Sequence, residues 1–336
     1  MKRLTRLLIL GCLAVVVLWW GSETLLVRQL SRQLAQESAV TIQQIAALRQ
    51  PGRVGVDATG IVIRSDRGRI TLPEARLWLA ATSPAVLRLD LPEQAGADLG
   101  GGPVIADLGD AHVNLRLRPL HGLQIGTAVA AAGPLKLEGE TLAKAISAQA
   151  VQANVPEDAP VGTAAAYDLD MSVTGLSASL LPAGLPEGAE LDGSLRARLW
   201  LDRAATPDSL ADPLRTPRLL GLDISDGQLR VGRLNARIVG SISADEQGRA
   251  QGHLGIYTSD PRPWLALAAE SGFIPAKAVV LAATMLDNIA AMPLPPGPAQ
   301  ELPAPQAGEM RLPFLMERGR ISLGALPLGP APVLMR

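Results

Sequence analysis

One stretch decides the fold class: Leu195-Arg196-Ala197-Arg198-Leu199-Trp200-Leu201-Asp202. Apolar residues occupy its odd positions, and charged residues or Trp200 occupy the even ones. Successive side chains of a β-strand point to opposite faces, so the odd set is predicted to be buried. Trp200 is then predicted to lie on the other face, with Arg196 and Arg198.

The same period of two recurs along most of the chain after residue 40. Further alternating runs lie at residues 54–58, 61–63, 70–72, 87–91, 113–118, 167–174, 234–242 and 320–323. Strands with one apolar and one wet face, separated by Gly, Pro and Asp turns, are typical of antiparallel sheet. We therefore predict a mainly β (α+β) fold, in which residues 40–291 form a large curved antiparallel sheet domain.

Helices are predicted to be the minority. Ser259-Asp260-Pro261 is a helix start signal, since a capping residue precedes Pro at the first helical position. That helix is predicted to end at Gly272, and a second one is predicted to run from near Pro275 to just before Met292. Together they predict a C-terminal helical hairpin over about 261–291, packed against the sheet. The Ala-rich residues 142–148 are also compatible with a helical turn.

Proline marks the remaining boundaries. Residues 292–313 contain seven prolines and are predicted to form an extended linker. Residues 314–336 follow as a terminal strand, Arg320–Leu323, and a Pro/Gly-rich tail. A shorter proline-rich stretch at 207–217 is predicted to be a loop that could separate two halves.

The N-terminal segment is predicted to be a membrane anchor. Residues 7–20 are all apolar or Gly, basic residues precede them, and Glu23 follows. The positive-inside rule predicts a single-pass protein of the inner membrane, with a cytoplasmic N-terminus and a periplasmic main domain. Residues 1–22 would form the transmembrane helix, and residues 23–39 a juxtamembrane helix in which Leu recurs every four positions.

Two alternatives compete with this anchor. A cleaved signal peptide has the same charged start and apolar core, but the residues after Trp20 lack the small-x-small pattern of a cleavage site. A lipoprotein signal would place its lipidated cysteine at the end of the apolar run, whereas Cys12 lies inside it. An uncleaved signal anchor is the favoured interpretation.

Composition excludes several classes of protein. The formal charge is −1, from 31 basic and 32 acidic residues, which disfavours nucleic-acid binding. Cys12 is the only cysteine, so no intrachain disulfide can form. The three histidines are scattered without zinc-ligand spacing, and the Gly-x-Ser-x-Gly elbow of serine hydrolases does not occur. Gly100–Gly102 follows no strand and opens no helix, so it is not a phosphate loop.

The polar residues with functional potential all have a plainer interpretation. His112, with Asp107 and Asp110 nearby, has the residue types of a metal or acid–base cluster, and Asp168 and Asp170 have those of a carboxylate pair. In both places the wet face of a strand explains the pattern as well. A set of strand arginines is a candidate contact for acidic lipid headgroups: Arg196, Arg198, Arg230 and Arg237. No catalytic, cofactor-binding or metal-binding residue is assigned.

Several segments together resemble a known family. They are Trp19-Trp20-Gly21, Ser225–Leu229, Gly252-His253-Leu254, Phe273-Ile274-Pro275 and Gly319–Gly324. With them the chain resembles an uncharacterised bacterial envelope family, domain of unknown function 2125. Its overall pattern is also similar, at the level of fold, to AsmA-like envelope proteins. The latter resemblance implies an anchored, β-rich protein that acts in lipid handling, and neither resemblance implies a catalytic residue.

Three hypotheses of function follow. The first is an envelope-biogenesis or lipid-handling protein whose apolar sheet face contacts lipid or another envelope protein, because a bare apolar face is costly in water. The second is an inert scaffold that docks another membrane protein. The third, an enzyme, is disfavoured because no catalytic constellation is recognisable. For the protein as a whole we predict no cofactor, no nucleic-acid partner, and attachment to the membrane through the N-terminal helix.

Overall fold

The computed structural model describes residues 40–65, 68–98, 102–177, 189–211, 215–270, 302–324 and 326–334, together with 279, 283, 284 and 286. The predicted transmembrane helix, residues 1–22, and the predicted juxtamembrane helix, residues 23–39, lie outside these ranges. Among the described residues, no helix combines the length and the apolarity needed to cross a membrane.

The chain divides into two compact units. Unit 1 comprises the described residues of Met1–Pro119 and Ala128–Thr141, and unit 2 comprises those of Leu120–Thr127 and Leu142–Arg336. Most of the described residues lie in β-strands, and the strand pairs in each unit are antiparallel. The prediction of a mainly β protein built on antiparallel sheet is therefore confirmed. The proline-rich stretch at 207–217 lies within unit 2 and does not separate the two units.

Short turns connect the strands of the first part of the chain. Up to Ala143 the strands are β1 (Val40–Ala47), β2 (Arg53–Ser65), β3 (Gly68–Ala80), β4 (Ser83–Asp90), β5 (Gln94–Asp98), β6 (Pro103–Asp107), β7 (His112–Arg118), β8 (Gln124–Ala132), β9 (Leu135–Leu137) and β10 (Glu140–Ala143). A short 3₁₀ helix, Pro119–His121, follows β7. β8 and β10 each contain residues of both units.

Strand β3 is the centre of unit 1. One of its edges pairs with β2, which also pairs with β1. Its other edge is shared, because residues 76–80 pair with β4 and residues 69–71 pair with β5. β4 continues to β7, and β5 continues through β6 to β9. A buried cluster on one face of these strands forms the core of the unit: Ala58, Ile61, Leu72, Ala75 and Ala95.

In unit 2 the strands pair in chain order. They are β11 (Ala145–Ala153), β12 (Ala165–Ser177), β13 (Glu190–Leu201), β14 (Leu219–Val231), β15 (Leu234–Ala244), β16 (Ala250–Thr258), β17 (Met310–Glu317), β18 (Arg320–Leu323) and β19 (Leu326–Pro330). Each pairs antiparallel with the next. Two helices are described, α1 (Pro207–Ala211) and α2 (Pro261–Glu270).

The Ala-rich segment near residue 145 is extended. Residues 142–148 lie in β10 and β11, so the helical turn that Ala favours does not form there. In β11 the exposed and half-buried residues alternate one by one, as expected for a strand. Pairing along the whole of β12 supplies its backbone hydrogen bonds, and this tertiary context overrides the helix propensity of alanine.

The strands of unit 2 have two different faces, as the sequence predicts. We call the side that carries Leu169, Leu195 and Leu229 the apolar face of unit 2, and the side that carries Asp168, Arg198 and their neighbours the charged face of unit 2. In β13, Ala197 is buried, Leu195, Leu199 and Leu201 are half-buried, and Arg196 is exposed. The predicted assignment of these residues to two faces is therefore confirmed, whereas the predicted burial holds in full only for Ala197.

Trp200 departs from the simple alternation. It lies on the charged face, where the Arg198 guanidinium carbon is 5.6 Å from the centre of its ring, yet only 8% of it is exposed. Gly221 is opposite Trp200, and a Cβ at Gly221 would lie 3.1 Å from Trp200 Cδ1 and 3.3 Å from Pro160 Cγ. The loop before β12 therefore covers this end of the charged face, which alternation within a strand cannot predict.

Helix α2 begins at Pro261, as predicted, and packs on the apolar face. Its Leu265 joins Leu286, Leu312 and Leu323 in a buried cluster. Of the predicted second helix, four residues are described, all helical, and the rest of the predicted hairpin lies outside the described residues. The strand predicted at Arg320–Leu323 is confirmed as β18. Residues 310–313, the last of the predicted linker, belong to β17.

Candidate functional site

His112 does not gather the carboxylates that precede it in sequence. It is the first residue of β7, and its Nδ1 atom lies 2.8 Å from the backbone carbonyl oxygen of Asp110, so the ring donates to the main chain. Asp107 accepts a hydrogen bond from Gln94, with Nε2 and Oδ1 2.9 Å apart. Within the described ranges, no group of three or more His, Cys, Asp or Glu residues could hold a metal ion.

Asp168 and Asp170 share the charged face of unit 2, but Asp168 is bound by an arginine. Arg198 donates twice to Asp168, with Nε 2.7 Å from Oδ1 and Nη2 3.1 Å from Oδ2. Asp170 is the register partner of Arg196, whose guanidinium forms its ion pair with Asp226. Asp168 is therefore held in an ion pair and Asp170 lies beside a second one, so the two carboxylates do not form a matched acid–base pair.

The predicted strand arginines of unit 2 all meet carboxylates. The ion pairs across the strands are Arg198 with Asp168, Arg196 with Asp226, Arg230 with Asp192, and Arg237 with Glu309. The Arg230 hydrogen bond, followed by the Gly175 N–H, lowers the pKa of Asp192 below 3.8. The Arg196 hydrogen bond likewise lowers the pKa of Asp226. The charged face of unit 2 is thus neutralised from within.

A segment within the predicted linker crosses one end of this face. We call residues 302–309 the strap. Tyr257 donates a hydrogen bond to the carbonyl oxygen of Pro303 at 2.6 Å, and Arg311 Nη1 donates to the same oxygen at 3.3 Å. Arg237 lies over the Tyr257 ring at 4.1 Å and donates to Glu309 at 3.0 Å. Burial raises the pKa of the Tyr257 phenol above 10.0, which keeps it a hydrogen-bond donor.

Beside the strap lies an open groove of about 710 Å³, lined by both polar and apolar side chains. Its floor is formed by β12 to β16, and its lining includes Asp192, Arg230, Asn235, Arg237 and Glu309. The acidic and basic groups in this lining pair with each other, as described above. The groove therefore offers hydrogen bonds to a neutral ligand but little net field to a charged one.

The apolar face of unit 2 is only partly covered. Helix α2 covers it at β17 and β18, where Leu312 and Leu323 are almost fully buried. From β12 to β15, Tyr167, Ile224 and Val231 on this face are buried, most of its other large side chains are half-buried, and Met171 is 40% exposed. The half-buried residues include Leu169, Leu195, Leu199, Leu222, Leu229 and Ile238. This strip is an aliphatic surface with incomplete cover inside the described part of unit 2.

In unit 1, two arginines pack around a tryptophan ring, whereas the strand arginines of unit 2 pair with carboxylates. Trp78 of β3 is 6% exposed, and the guanidinium carbons of Arg53 and Arg88 lie 4.2 Å and 4.9 Å from the centre of its ring. The indole N–H donates to Asp90 Oδ2 at 2.7 Å, which fixes the plane of the ring. We call Arg53, Trp78, Arg88 and Arg116 the Arg–Trp cluster of unit 1.

Strand register brings these four residues to one face. Trp78 is opposite Gly55 on β2 and Arg88 on β4, and Arg53 lies two residues before Gly55. Arg116 on β7 is opposite Val86, hence diagonal to Arg88 on the same face. A Cβ at Gly55 would lie 2.6 Å from the Cβ of Trp78, so only glycine leaves room for the indole at this position.

A family model decides the relationship of this chain to known proteins. The model that matches, over residues 20–332, is that of uncharacterised proteins conserved in bacteria, DUF2125. The chain belongs to the DUF2125 family. No curated protein and no solved structure matches this DUF2125 chain. None of these comparisons shows a link to AsmA-like proteins.

Sequence reasoning missed the Arg–Trp cluster of this DUF2125 protein. The alternation of Arg76 and Trp78 with Leu77 and Leu79 was visible and places Trp78 on the wet face. An aromatic ring on a wet face is a signal that could have drawn attention to its cross-strand neighbours. The partner Arg53, however, is known only from the register of β2 and β3.

Proposed function

We propose that this protein is a membrane-anchored component of the bacterial cell envelope, and that the apolar face of unit 2 binds the acyl chains of lipids. The observation that carries the proposal is the half-buried strip between β12 and β15, with Met171 40% exposed. Contiguous exposed apolar surface is costly in water and is typical of an interaction site.

The chemistry of the strip supports an aliphatic ligand. Its half-buried side chains are mostly Leu, Ile and Met, which offer dispersion contacts and no hydrogen-bond donor. The opposite face of the same strands carries the neutralised ion pairs, so the two sides of the sheet differ sharply in polarity. Each buried methylene of an acyl chain would contribute about 0.8 kcal/mol.

A membrane anchor would keep this strip close to lipid. The support is the sequence pattern of residues 1–22, in which basic residues precede an apolar run that ends at Trp19 and Trp20. A C-terminal alkaline phosphatase fusion tests the proposed topology. It should be active if the main domain is periplasmic, and an active cytoplasmic reporter in its place would contradict this orientation.

Native mass spectrometry of the full chain, extracted in detergent, tests the lipid proposal. We expect wild-type protein to carry adducts with the mass of a diacyl lipid. Met171→Asp places a charge on the strip and should reduce the bound fraction about tenfold, since burying an unpaired charge costs several kcal/mol. The matched control is Ser172→Asp, which places the same charge one residue along β12 but on the charged face.

The result separates lipid binding from the scaffold hypothesis. Wild-type protein without lipid adducts, or equal retention in the two variants, would contradict the proposal. A stoichiometric protein subunit bound in place of lipid, and lost in Met171→Asp but not in Ser172→Asp, would favour the scaffold.

A further inference from the structure

We propose that the Arg–Trp cluster of unit 1 is a binding site for a phosphate group, carried either by a lipid headgroup or by a soluble phosphate compound. The site consists of the guanidinium groups of Arg53, Arg88 and Arg116, arranged around and beside Trp78. It is distinct from the apolar face of unit 2 and does not depend on acyl-chain binding there.

The arginines of the cluster lack carboxylate partners within the described part of the chain. Among the described residues, Arg53, Arg88 and Arg116 have no carboxylate within ion-pair distance, whereas Arg76 on the same face meets Asp57 at 3.8 Å and Glu74 at 3.2 Å. Asp90 is the acidic residue next to the cluster on β4, and it accepts the indole N–H of Trp78. Within the cluster, three cations thus face one carboxylate, and with Arg76, Asp57 and Glu74 included this face has four cations and three carboxylates, which leaves one positive charge in excess.

The indole of Trp78 preorganises two of the guanidinium groups. Arg53 and Arg88 stack against one indole, so the separation of their guanidinium carbons cannot exceed the sum of 4.2 Å and 4.9 Å. Stacking uses the π face of a guanidinium and leaves its N–H donors in the plane of the group. Arg53 also donates to Gln50 at 3.4 Å through Nη1, and its other donors stay available.

The donor geometry of the cluster suits a phosphate group. A guanidinium presents a planar fork of donors that matches two oxygens of a phosphate, and several guanidinium groups can share its negative charge. Arg53 and Arg116 are exposed and Arg88 is half-buried, so an anion reaches the donors from solvent. A ring held by Asp90 and flanked by cations is a rigid support for such contacts.

Unit 2 provides the internal comparison. Its strand arginines Arg196, Arg198 and Arg230 each donate to an aspartate across the strand, so an incoming phosphate would have to displace a carboxylate. The candidate contact with acidic headgroups that the sequence assigns to these arginines is therefore better satisfied in unit 1. The two arginine sets have equal charge and different pairing, which makes them matched controls.

Isothermal titration calorimetry of the full chain in a neutral detergent tests the site. The probes are inorganic phosphate, dioctanoyl phosphatidic acid and the uncharged dioctanoylglycerol. The variant Arg53→Gln/Arg88→Gln/Arg116→Gln should bind both phosphate probes at least tenfold more weakly than wild type. The control Arg196→Gln/Arg198→Gln/Arg230→Gln should bind them within about twofold of wild type, because its arginines are already paired.

A second variant guards against misfolding. Arg116 is exposed and makes no hydrogen bond within the described ranges, so Arg116→Gln leaves the packing of Trp78 intact. It should weaken phosphate binding severalfold and make the dependence on salt concentration shallower, since one cationic contact is lost. An unchanged affinity for Arg116→Gln, together with an unchanged affinity for the triple variant, would overturn the proposal.

The probes also identify the source of the phosphate. Binding of phosphatidic acid more than tenfold tighter than inorganic phosphate assigns the site to a lipid headgroup, and equal affinities assign it to the phosphate group alone. Both outcomes support the site. Phosphatidic acid that binds no better than dioctanoylglycerol, with no binding of inorganic phosphate, overturns it and leaves the acyl-chain proposal for unit 2 untouched.

Discussion

Unit 1 and unit 2 each carry a charged sheet face, but the arginines on these faces have different neighbours. In unit 2 the cation of one strand meets a carboxylate of the next, as Arg198 does with Asp168. In unit 1 the cations Arg53 and Arg88 meet the ring of Trp78. The same residue type therefore serves to close one surface and to leave the other open to an anion.

The largest effect on this difference between the units is expected from removal of the Trp78 ring. Trp78→Ala should destabilise the protein by about 3 kcal/mol, because it deletes a nearly buried aromatic side chain and the support of two arginines. Chemical denaturation of the full chain in detergent measures the change. Trp78→Phe is the control, because it keeps an aromatic face while it loses part of the ring and the hydrogen bond to Asp90, which contributes about 1 kcal/mol. If Trp78→Ala lost no more stability than Trp78→Phe, the ring would not organise this face.

The next test separates the two faces of one strand in unit 2. Leu199→Asp should cost about 2–3 kcal/mol, because it places a charge on the apolar face. Arg198→Asp, one residue away on the charged face, should cost less than about 1 kcal/mol, since the ion pair with Asp168 is largely exposed. Thermal melts of the two variants decide between the faces. A larger loss for Arg198→Asp would show that the register of β13 is shifted by one residue.

The smallest expected effect is the response of unit 2 to acid. The folded-state pKa of Asp192 is lowered by Arg230 and by the Gly175 N–H, so the ionised form is favoured in the native protein. Its contribution to stability is present at neutral pH and is lost as the pH falls below 3.8 through the lowered value. Unfolding measured from pH 6 to pH 2 should therefore show a weaker acid loss in Arg230→Gln than in wild type. Identical acid limbs would mean that this pair adds nothing to stability.

Alternation predicted the strands and their faces because both depend on neighbours in sequence. Leu195, Leu199 and Arg196 lie where a period of two puts them. Trp200 is buried on the charged face, where it and Pro160, from a different loop, both approach Gly221, and no local pattern encodes that arrangement. The strand at residues 145–153 was obscured by alanine, whose helix propensity is outweighed here by pairing with β12.

The candidate sites were harder to predict than the faces that carry them. Both depend on register between strands that are distant in sequence, such as Arg53 with Trp78 and Arg198 with Asp168. One residue of slip would exchange every partner on a face. Composition also hides the difference between the units, since a net charge of −1 is compatible with one neutralised face and one cationic cluster.

The hydrogen bonds that hold the strap over unit 2 constrain the sequence of the sheet more than the sequence of the strap at position 303. Tyr257 and Arg311 both donate to the carbonyl oxygen of Pro303, a group that every amino acid possesses. Substitution at position 303 can therefore preserve both hydrogen bonds if the backbone keeps its path, whereas substitution of Tyr257 removes the shorter of the two and leaves the longer one from Arg311. Position 303 can vary in sequence while the course of the strap over the sheet is maintained by the residues beneath it.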